Sequence, residues 1–308
     1  MSCPRRYVVI KIDSHSLVDV QGHLDLPYLH EVATHCVLLW SEGFSPILVS
    51  SGAVTVGMSH AGLRMKPRDV HRCMALAAIG QMGLNAAWAE AFLRMGRLVS
   101  PIPLTHDDFR DLHRCHYLST TIRNLLSYGA IPIISENPVY IPTIYQTVDD
   151  SDQLAALLAV QLQAEVLVLL SDVKGVYDKD PGNHKDATIM RSISHFSRGI
   201  LGTAGEVDPV VRDKMRNKED AVRRAVMGGT HVVIAHAREV GVVSRAVLYR
   251  GHVGTFIVGE RRARSLSLSL REEGDGEEED AMSPEERSLC TTSQEISLTF
   301  VTVLSPRN

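Results

Sequence analysis

Two turns of this chain carry residues that could hold an anionic group. Ser51, Gly52 and Ala53 form the first turn, and Ser171 and Asp172 open the second, each directly after a short apolar run. A turn that leads from a strand into a helix presents free backbone amides, and a hydroxyl beside them adds another donor. Such a turn can bind a carboxylate or a phosphate, although the same residues also suit an ordinary turn.

Two common phosphate-binding loops are absent from the sequence. It contains no G-x-x-x-x-G-K-[S/T] loop, and no G-x-G-x-x-G follows the first apolar run. Any phosphate bound by this chain must therefore contact backbone amides, the positive ends of helices or single lysines. Lys11 ends the first apolar run, where a lysine can be such a point charge or a solvated strand end. Asp152 opens a stretch of helical period, a position that also suits a helix N-cap.

Short β-branched runs alternate with longer stretches of helical period, which predicts βαβ units on a parallel sheet. Because continuous apolar strands need cover on both faces, we expect a three-layer αβα fold with an open, mainly parallel sheet of about eight strands. Ligands bind at the carboxyl ends of such strands, so Lys11, Ser50 and Leu170 should lie at one edge. The predicted strands are 7–12, 46–50, 98–104, 131–135, 166–170 and 231–235. The predicted helices are 27–43, 67–95, 105–128, 152–163 and 215–227, with a hairpin at 138–148.

The composition is that of an ordinary soluble protein, and it argues against several classes of function. Of the 308 residues, 44% are hydrophobic and 22% are charged, which is enough for a substantial core. The net charge of -4 gives no positive field for nucleic acid or an anionic membrane. Five widely spaced cysteines without a C-x-x-C pair argue against a disulfide framework and a structural zinc site, and they favour a reducing, cytosolic compartment. We expect no membrane span, because polar residues interrupt the most apolar stretch at 153–170.

The second turn resembles the nucleotide-binding turn of the amino-acid kinase superfamily, in the run Ser-Asp-Val-Lys-Gly-Val-Tyr-Asp-Lys-Asp-Pro at 171–181. Runs at 48–57, 78–84 and 104–109 resemble glutamate 5-kinases and the kinase half of pyrroline-carboxylate synthetases, because the first reads Ser-Ser-Gly-Ala where most of the superfamily has a glycine triplet. The resemblance spans residues 7–257.

This resemblance implies an enzyme that transfers the γ-phosphoryl group of ATP to the γ-carboxylate of glutamate, the first step of proline biosynthesis, with Mg²⁺ bridging the phosphates. Two anions must then approach each other, and Lys11 and Lys218 match the family's lysines that offset the repulsion, with Asp152 as the carboxylate that holds both. The implied ATP-binding residues are Lys11, Ser171, Asp172, Tyr177, Lys214, Met215 and Lys218. The implied substrate-binding residues are Ser51, Gly52, Ala53, Asn137, Pro138 and Ser151. A homo-oligomer is also implied.

Several positions depart from the family pattern. Asp13 stands where the family has a glycine, close to the expected phosphates. Pro138 replaces the aspartate that receives the substrate's ammonium group, and Ser151 replaces a substrate-binding asparagine. The glycine-rich loop that covers the phosphates is missing directly before Lys218, and a Gly-Thr-Ala-Gly run lies earlier, at 202–205. Two further hypotheses stay open: a kinase of this fold that acts on another acid or phosphate acceptor, and a ligand-binding relative without catalysis.

The composition changes after Gly259. Residues 1–259 are predicted to form the kinase domain. Seven acidic residues fall within 272–280, and such a charge block cannot bury a core. Residues 260–308 are therefore predicted to be an acidic, disordered tail rather than the RNA-binding-like domain that many members of the family carry, with an edge strand at 295–304 as the alternative.

Overall fold

The computed structural model of the chain describes residues 6–19, 21–138, 151–179, 183–194, 196 and 209–260, without the side chains of 209–214. The strands are β1 (Arg6–Ile12), β2 (Phe44–Ser50), β3 (Leu98–Leu104), β4 (Ala130–Glu136), β5 (Val166–Ser171), β6 (Ser192–Ile193), β7 (His231–His236) and β8 (Thr255–Ile257). The helices are α1 (Leu26–Ser41), α2 (Ala53–His60), α3 (Val70–Leu93), α4 (Leu112–Ser127), α5 (Ser151–Gln161), α6 (Pro209–Met227) and α7 (Val242–Leu248). Two 3₁₀ turns cover Ser14–Ser16 and His106–Phe109.

The eight described strands form one open sheet in the order β3-β4-β2-β1-β5-β7-β8-β6. Neighbouring strands run parallel except β7 and β8, which are antiparallel. The predicted open, mainly parallel sheet is therefore confirmed. Ile12 lies beside Ser50 on one side and beside Leu170 on the other. The carboxyl ends of β1, β2 and β5 thus meet at one edge of the sheet, as the sequence predicted.

Helices cover both faces of the sheet, which gives the predicted three layers. Side chains of a strand alternate between the two faces. Ile10 accordingly packs in one core with α1, α3 and α7, whereas Val9 packs in the other core with α4, α5 and α6. Lys11 follows the alternation of Val9, so it points toward the layer that contains α5 and α6.

The stretch predicted as a single helix at 105–128 is divided in two. Asp108 accepts hydrogen bonds from the backbone N–H and the hydroxyl of Thr105, and these bonds stabilise the 3₁₀ turn at His106–Phe109. Asp111 then accepts from the backbone N–H of Arg114 and begins α4. Aspartates favour caps over helix interiors, because their side chains bond the local backbone, and two successive caps break the helix here.

Four elements were not predicted: α2, α7, β6 and β8. In α2, β-branched residues and a glycine obscure the helical period. Gly57 of α2 and Gly80 of α3 let these helices touch, since an added Cβ at either position would lie 1.9 Å from a backbone oxygen of the other helix. β6 and β8 have two and three residues, too few to show a pattern.

The remaining predicted strands and helices are confirmed with shifted ends, the largest shift being in α6, which begins at Pro209 rather than at 215. Proline is well suited to the first position of a helix. The hairpin predicted at 138–148 lies outside the described residues except for its first position. Among the helices of the described ranges, none has both the length and the apolar character needed to cross a bilayer.

Candidate active site

Three charged residues meet at the carboxyl edge of the sheet. Lys11 projects from the end of β1, Asp152 lies in the first turn of α5, and Lys218 lies in α6. Lys11 Nζ is 2.6 Å from Asp152 Oδ1, and Lys218 Nζ is 3.2 Å from Asp152 Oδ2. One carboxylate therefore bridges two ammonium groups, and the first turn of a helix favours such an anion. Asp152 lies inside the helix, which begins at Ser151, and not at its N-cap.

These three side chains are largely removed from solvent. Lys11 is 3% exposed, Asp152 13% and Lys218 17%. Burial alone would lower the pKa of Lys11, but the carboxylates of Asp152 and Asp13 outweigh burial and hold that pKa above its ordinary value. Burial alone would raise the pKa of Asp152, but Lys11 and Lys218 outweigh it and hold that pKa well below its ordinary value. Both shifts favour the charged forms of Lys11 and Asp152.

Asp13 joins this group, which makes a charged cluster of two lysines and two aspartates. It follows β1 directly, and its backbone N–H donates to the carbonyl of Leu170 at the end of β5. Its Oδ1 accepts a short hydrogen bond from Lys11 Nζ, and its Oδ2 is 3.7 Å from Lys218 Nζ. The carboxylate therefore does not point away from the lysines. We call Lys11, Asp13, Asp152 and Lys218 the charged cluster.

A pair of serines lies beside this cluster. Ser51 follows β2 and Ser151 begins α5, and their hydroxyl oxygens are 2.7 Å apart, although the residues are 100 positions apart in the chain. Both are buried. Gly52 next to them has φ +100°, a conformation that favours glycine, and an added Cβ would lie 3.3 Å from Leu17. This serine pair, Ser51 and Ser151, places two hydroxyls at the edge of the sheet, one residue from Asp152.

One supporting residue was not anticipated from the sequence. The indole Nε1–H of Trp88 donates to Ser50 Oγ over 3.0 Å, and both side chains are buried. This bond fixes the end of β2 just before Ser51. A tryptophan within the Ala-rich part of α3 was the available signal, because a buried indole N–H needs an acceptor.

The other predicted substrate residues lie farther along the edge. Asn137 and Pro138 follow β4, and the backbone N–H of Asn137 donates to the carbonyl of Leu104. Asn137 lines a cleft of about 530 Å³ with residues of β3, the second 3₁₀ turn and α4, among them Asp107 and Arg114. The cleft lining includes neither the serine pair nor the charged cluster. Of the predicted substrate residues, Asn137 alone belongs to the lining of this cleft.

The predicted nucleotide residues are placed with different degrees of detail. Ser171 ends β5 and is fully buried, and its hydroxyl makes no hydrogen bond within the described ranges. Asp172 is exposed in the following turn, and Tyr177 is half-buried and forms an antiparallel bridge with Ile189. Lys214 and Met215 belong to α6. Met215 is half-buried, and the side chain of Lys214 lies outside the described part of the structure.

A comparison with known protein families identifies the family to which this chain belongs. The model of the amino acid kinase family matches residues 6–236, which include all four members of the charged cluster. The chain belongs to the amino acid kinase family.

Individual proteins of this family are similar to the chain in sequence. This amino acid kinase is 35% identical over 232 residues to the glutamate 5-kinase of Methanococcoides burtonii, a match that covers 75% of this chain and 62% of the relative. It is 36% identical over 259 residues to that of Thermus thermophilus, with 83% and 68% covered, and 37% identical over 255 residues to that of Pseudomonas syringae pv. tomato, with 82% and 68% covered. The chain thus spans about two thirds of the length of these relatives.

Solved structures share the fold of this amino acid kinase at low sequence identity. An isopentenyl phosphate kinase superimposes with a TM-score of 0.58 at 20% identity, covering 82% of this chain and 100% of the other. The UMP kinase of Ureaplasma parvum superimposes with a TM-score of 0.57 at 12% identity, with 83% and 100% covered. These similarities establish the common architecture.

Proposed function

We propose that this amino acid kinase transfers the γ-phosphoryl group of ATP to the γ-carboxylate of glutamate, giving glutamyl 5-phosphate for proline synthesis in the cytoplasm. The observation that carries the proposal is the bridge from Lys11 through Asp152 to Lys218. The names of the relatives support glutamate as the acceptor. Residues 1–259 would supply the activity, and 260–308 would be an appended tail.

The lysines would act as fixed positive charges. In this reaction a carboxylate approaches a phosphoryl group, and negative charge spreads over the phosphoryl oxygens in the transition state. Lys11 and Lys218 could neutralise that charge, and their low exposure makes each charge more effective than in open water. Asp152 would hold both ammonium groups in place, so that little reorganisation is needed as the reaction proceeds.

The chemistry of the site fits a nucleotide phosphate. Two lysines lie where three parallel strands end, beside the turn that leads from β2 into α2. Mg²⁺ bound with ATP would add positive charge to the phosphates. In the described ranges no three His, Cys, Asp or Glu side chains are grouped as metal ligands.

The serine pair would orient the acceptor carboxylate. Hydroxyls can donate to a carboxylate without repelling it, and Ser51 and Ser151 already lie within hydrogen-bond distance of each other next to Asp152.

A second candidate function is favoured by Pro138, which cannot supply the carboxylate expected to bind the ammonium group of glutamate. A kinase for another small acid would need no such carboxylate.

One assay separates these functions. The purified chain is incubated with ATP, Mg²⁺ and a panel of carboxylic acids, and acyl phosphate is trapped as hydroxamate. We expect hydroxamate with glutamate in amounts that follow ADP release. Product with a different acid alone would establish the second function. Nucleotide binding without any acyl phosphate would contradict both and indicate a binding protein.

We also propose that the protein is a homo-oligomer and that the outer face of α3 is its self-association surface. Exposed apolar residues recur along this helix at helical spacing: Ala75, Ala78, Ile79, Met82, Ala86, Ala89 and Leu93. Met82 near the middle of the helix is 76% exposed. A pair of opposite charges lies at each end of this stripe, Asp69 and Arg72 at its start and Glu90 and Arg94 at its end. Counted outward from the middle of the helix, the basic residue comes first at the start and the acidic residue comes first at the end. In an antiparallel pair of α3 helices, Arg72 would face Glu90 and Asp69 would face Arg94.

The oligomer proposal is tested by light scattering with size-exclusion chromatography. Met82→Glu should shift the protein toward monomer, whereas Val240→Glu, at a residue 81% exposed elsewhere, should not. Arg72→Glu should weaken association, and Arg72→Glu with Glu90→Arg should restore it. A monomeric wild type, or association that survives Met82→Glu, would contradict this surface.

A further inference from the structure

We propose that Asp13 is an internal counter-anion that occupies the lysines where ATP phosphates would bind, and thereby sets the affinity of the site for nucleotide. This inference rests on the proposed function. Asp13 contacts both ammonium groups, Lys11 Nζ through Oδ1 and Lys218 Nζ through Oδ2 at 3.7 Å. It is also 27% exposed, against 3% to 17% for the other three members of the charged cluster. The carboxylate therefore lies on the open side of the cluster, where a ligand would arrive.

The charge balance of the cluster decides how strongly it attracts an anion. Lys11, Lys218 and Asp152 together carry one net positive charge, whereas the addition of Asp13 makes the cluster neutral. A neutral cluster attracts phosphate less strongly at long range. At short range Asp13 also competes with phosphate oxygens for the N–H groups of Lys11. Both effects lower the affinity for nucleotide relative to a site without this carboxylate.

The backbone at Asp13 does not require aspartate. Asp13 has φ −70° and ψ 149°, an extended conformation open to any residue, and it bonds the 3₁₀ turn through its carbonyl, which accepts from Ser16 N–H. Its side chain makes no capping hydrogen bond to that turn. A substitution should therefore change the charge of the cluster and leave the backbone intact. Asp13→Asn is the matched change, because the amide oxygen can still accept from Lys11.

The affinity test is calorimetric titration with AMP-PNP, an ATP analogue with an uncleavable terminal bridge, with and without Mg²⁺. Asp13→Asn should bind metal-free AMP-PNP about tenfold more tightly than wild type, or about 1.4 kcal/mol. The gain should be smaller with Mg²⁺, because the ion already reduces the charge of the phosphates. Glu42→Gln is the control, since it removes one negative charge at the far end of α1, next to the start of β2, and it should leave binding unchanged.

A second readout separates this effect from a general structural one. Without ligand, Asp13→Asn should have a lower melting temperature than wild type, because two lysines then share one carboxylate. AMP-PNP should raise the melting temperature of this variant more than it raises that of wild type. Asp13→Gly should behave in the same way, and it replaces Asp13→Asn if that variant does not fold.

The outcomes distinguish the inference from the function. Equal affinity of wild type and Asp13→Asn would overturn the inference and leave the kinase intact. Weaker binding by Asp13→Asn only with Mg²⁺ would overturn it in favour of a metal ligand at this position. The expected tightening without any acyl phosphate would support the inference and contradict the proposed function. Failure of every variant to bind nucleotide would overturn both.

Discussion

The charged cluster and the serine pair stand next to each other on the same edge of the sheet, yet different forces hold them. The charged cluster is built from two lysines and two aspartates that are held together as ion pairs, and its three least exposed members each need a partner of opposite charge. The serine pair is neutral and is held by one hydrogen bond between hydroxyls. Substitution of one residue should therefore have a large effect in the charged cluster and a small effect in the serine pair. The first should govern turnover, and the second should govern the affinity for the acceptor.

The largest effect is expected from Lys218→Ala. Turnover should fall on the order of 10²-fold to 10³-fold with a smaller change in the KM for ATP, because the ammonium group acts mainly on the transition state. Arg216→Ala is the control, since Arg216 is an exposed cation of the same helix and its loss should leave turnover near that of wild type. Initial rates at saturating ATP and glutamate measure the difference. Near wild-type turnover in Lys218→Ala would show that the charged cluster is structural.

A slightly smaller loss is expected from Asp152→Ala, because Asp13 still compensates one lysine. Turnover should fall about 10²-fold, and stability should fall by about 2 kcal/mol. Asp152→Asn should cost less in turnover if orientation is the main role of this residue. Urea denaturation and initial rates measure the two losses. Unchanged stability in Asp152→Ala would mean that the lysines are better hydrated than the structure shows.

The pH dependence of stability should identify Asp152 independently. Its pKa is lowered in the folded state, so its contribution is fully present above the pKa of an unfolded aspartate, about 3.9, and is lost as pH falls toward the folded value. The free energy of unfolding of the wild type should therefore fall below about pH 4, and that of Asp152→Asn should fall less. Equal acid profiles for the two proteins would contradict this assignment.

The smallest effect is expected in the serine pair. Ser51→Ala or Ser151→Ala leaves one buried hydroxyl without its partner and should destabilise the protein by about 1 kcal/mol. Each should raise the KM for glutamate about fivefold and leave the KM for ATP unchanged, since a neutral hydrogen bond contributes about 1 kcal/mol. The double variant should lose less than the sum of the two, because the partners are coupled. A fall in turnover as large as that of Lys218→Ala would remove the distinction between the two regions.

Most of the fold could be predicted from the sequence, because apolar runs and helical period are local properties. The strands that carry Lys11, Ser50 and Leu170 were recognisable from their own residues, and the αβα layering followed from them. The elements that were not predicted were short, or they depended on contact with another element. In α2, for example, the contact with α3 at Gly57 and Gly80 overrides the weak helix propensity of the α2 residues.

The candidate site was predictable in part for the same reason. The roles of Lys11, Asp152 and Lys218 came from the resemblance to a family, and the places of Lys11 at a strand end and of Asp152 at a helix start agreed with it. The side-chain contacts among them depend on strand register and on the docking of α5 and α6, which no local pattern encodes. Sequence alone identified Asp13 as a departure, but the tertiary structure decided that its carboxylate faces both lysines. It also decided that Ser51 meets Ser151, since β2 and the start of α5 come together only when the sheet has formed.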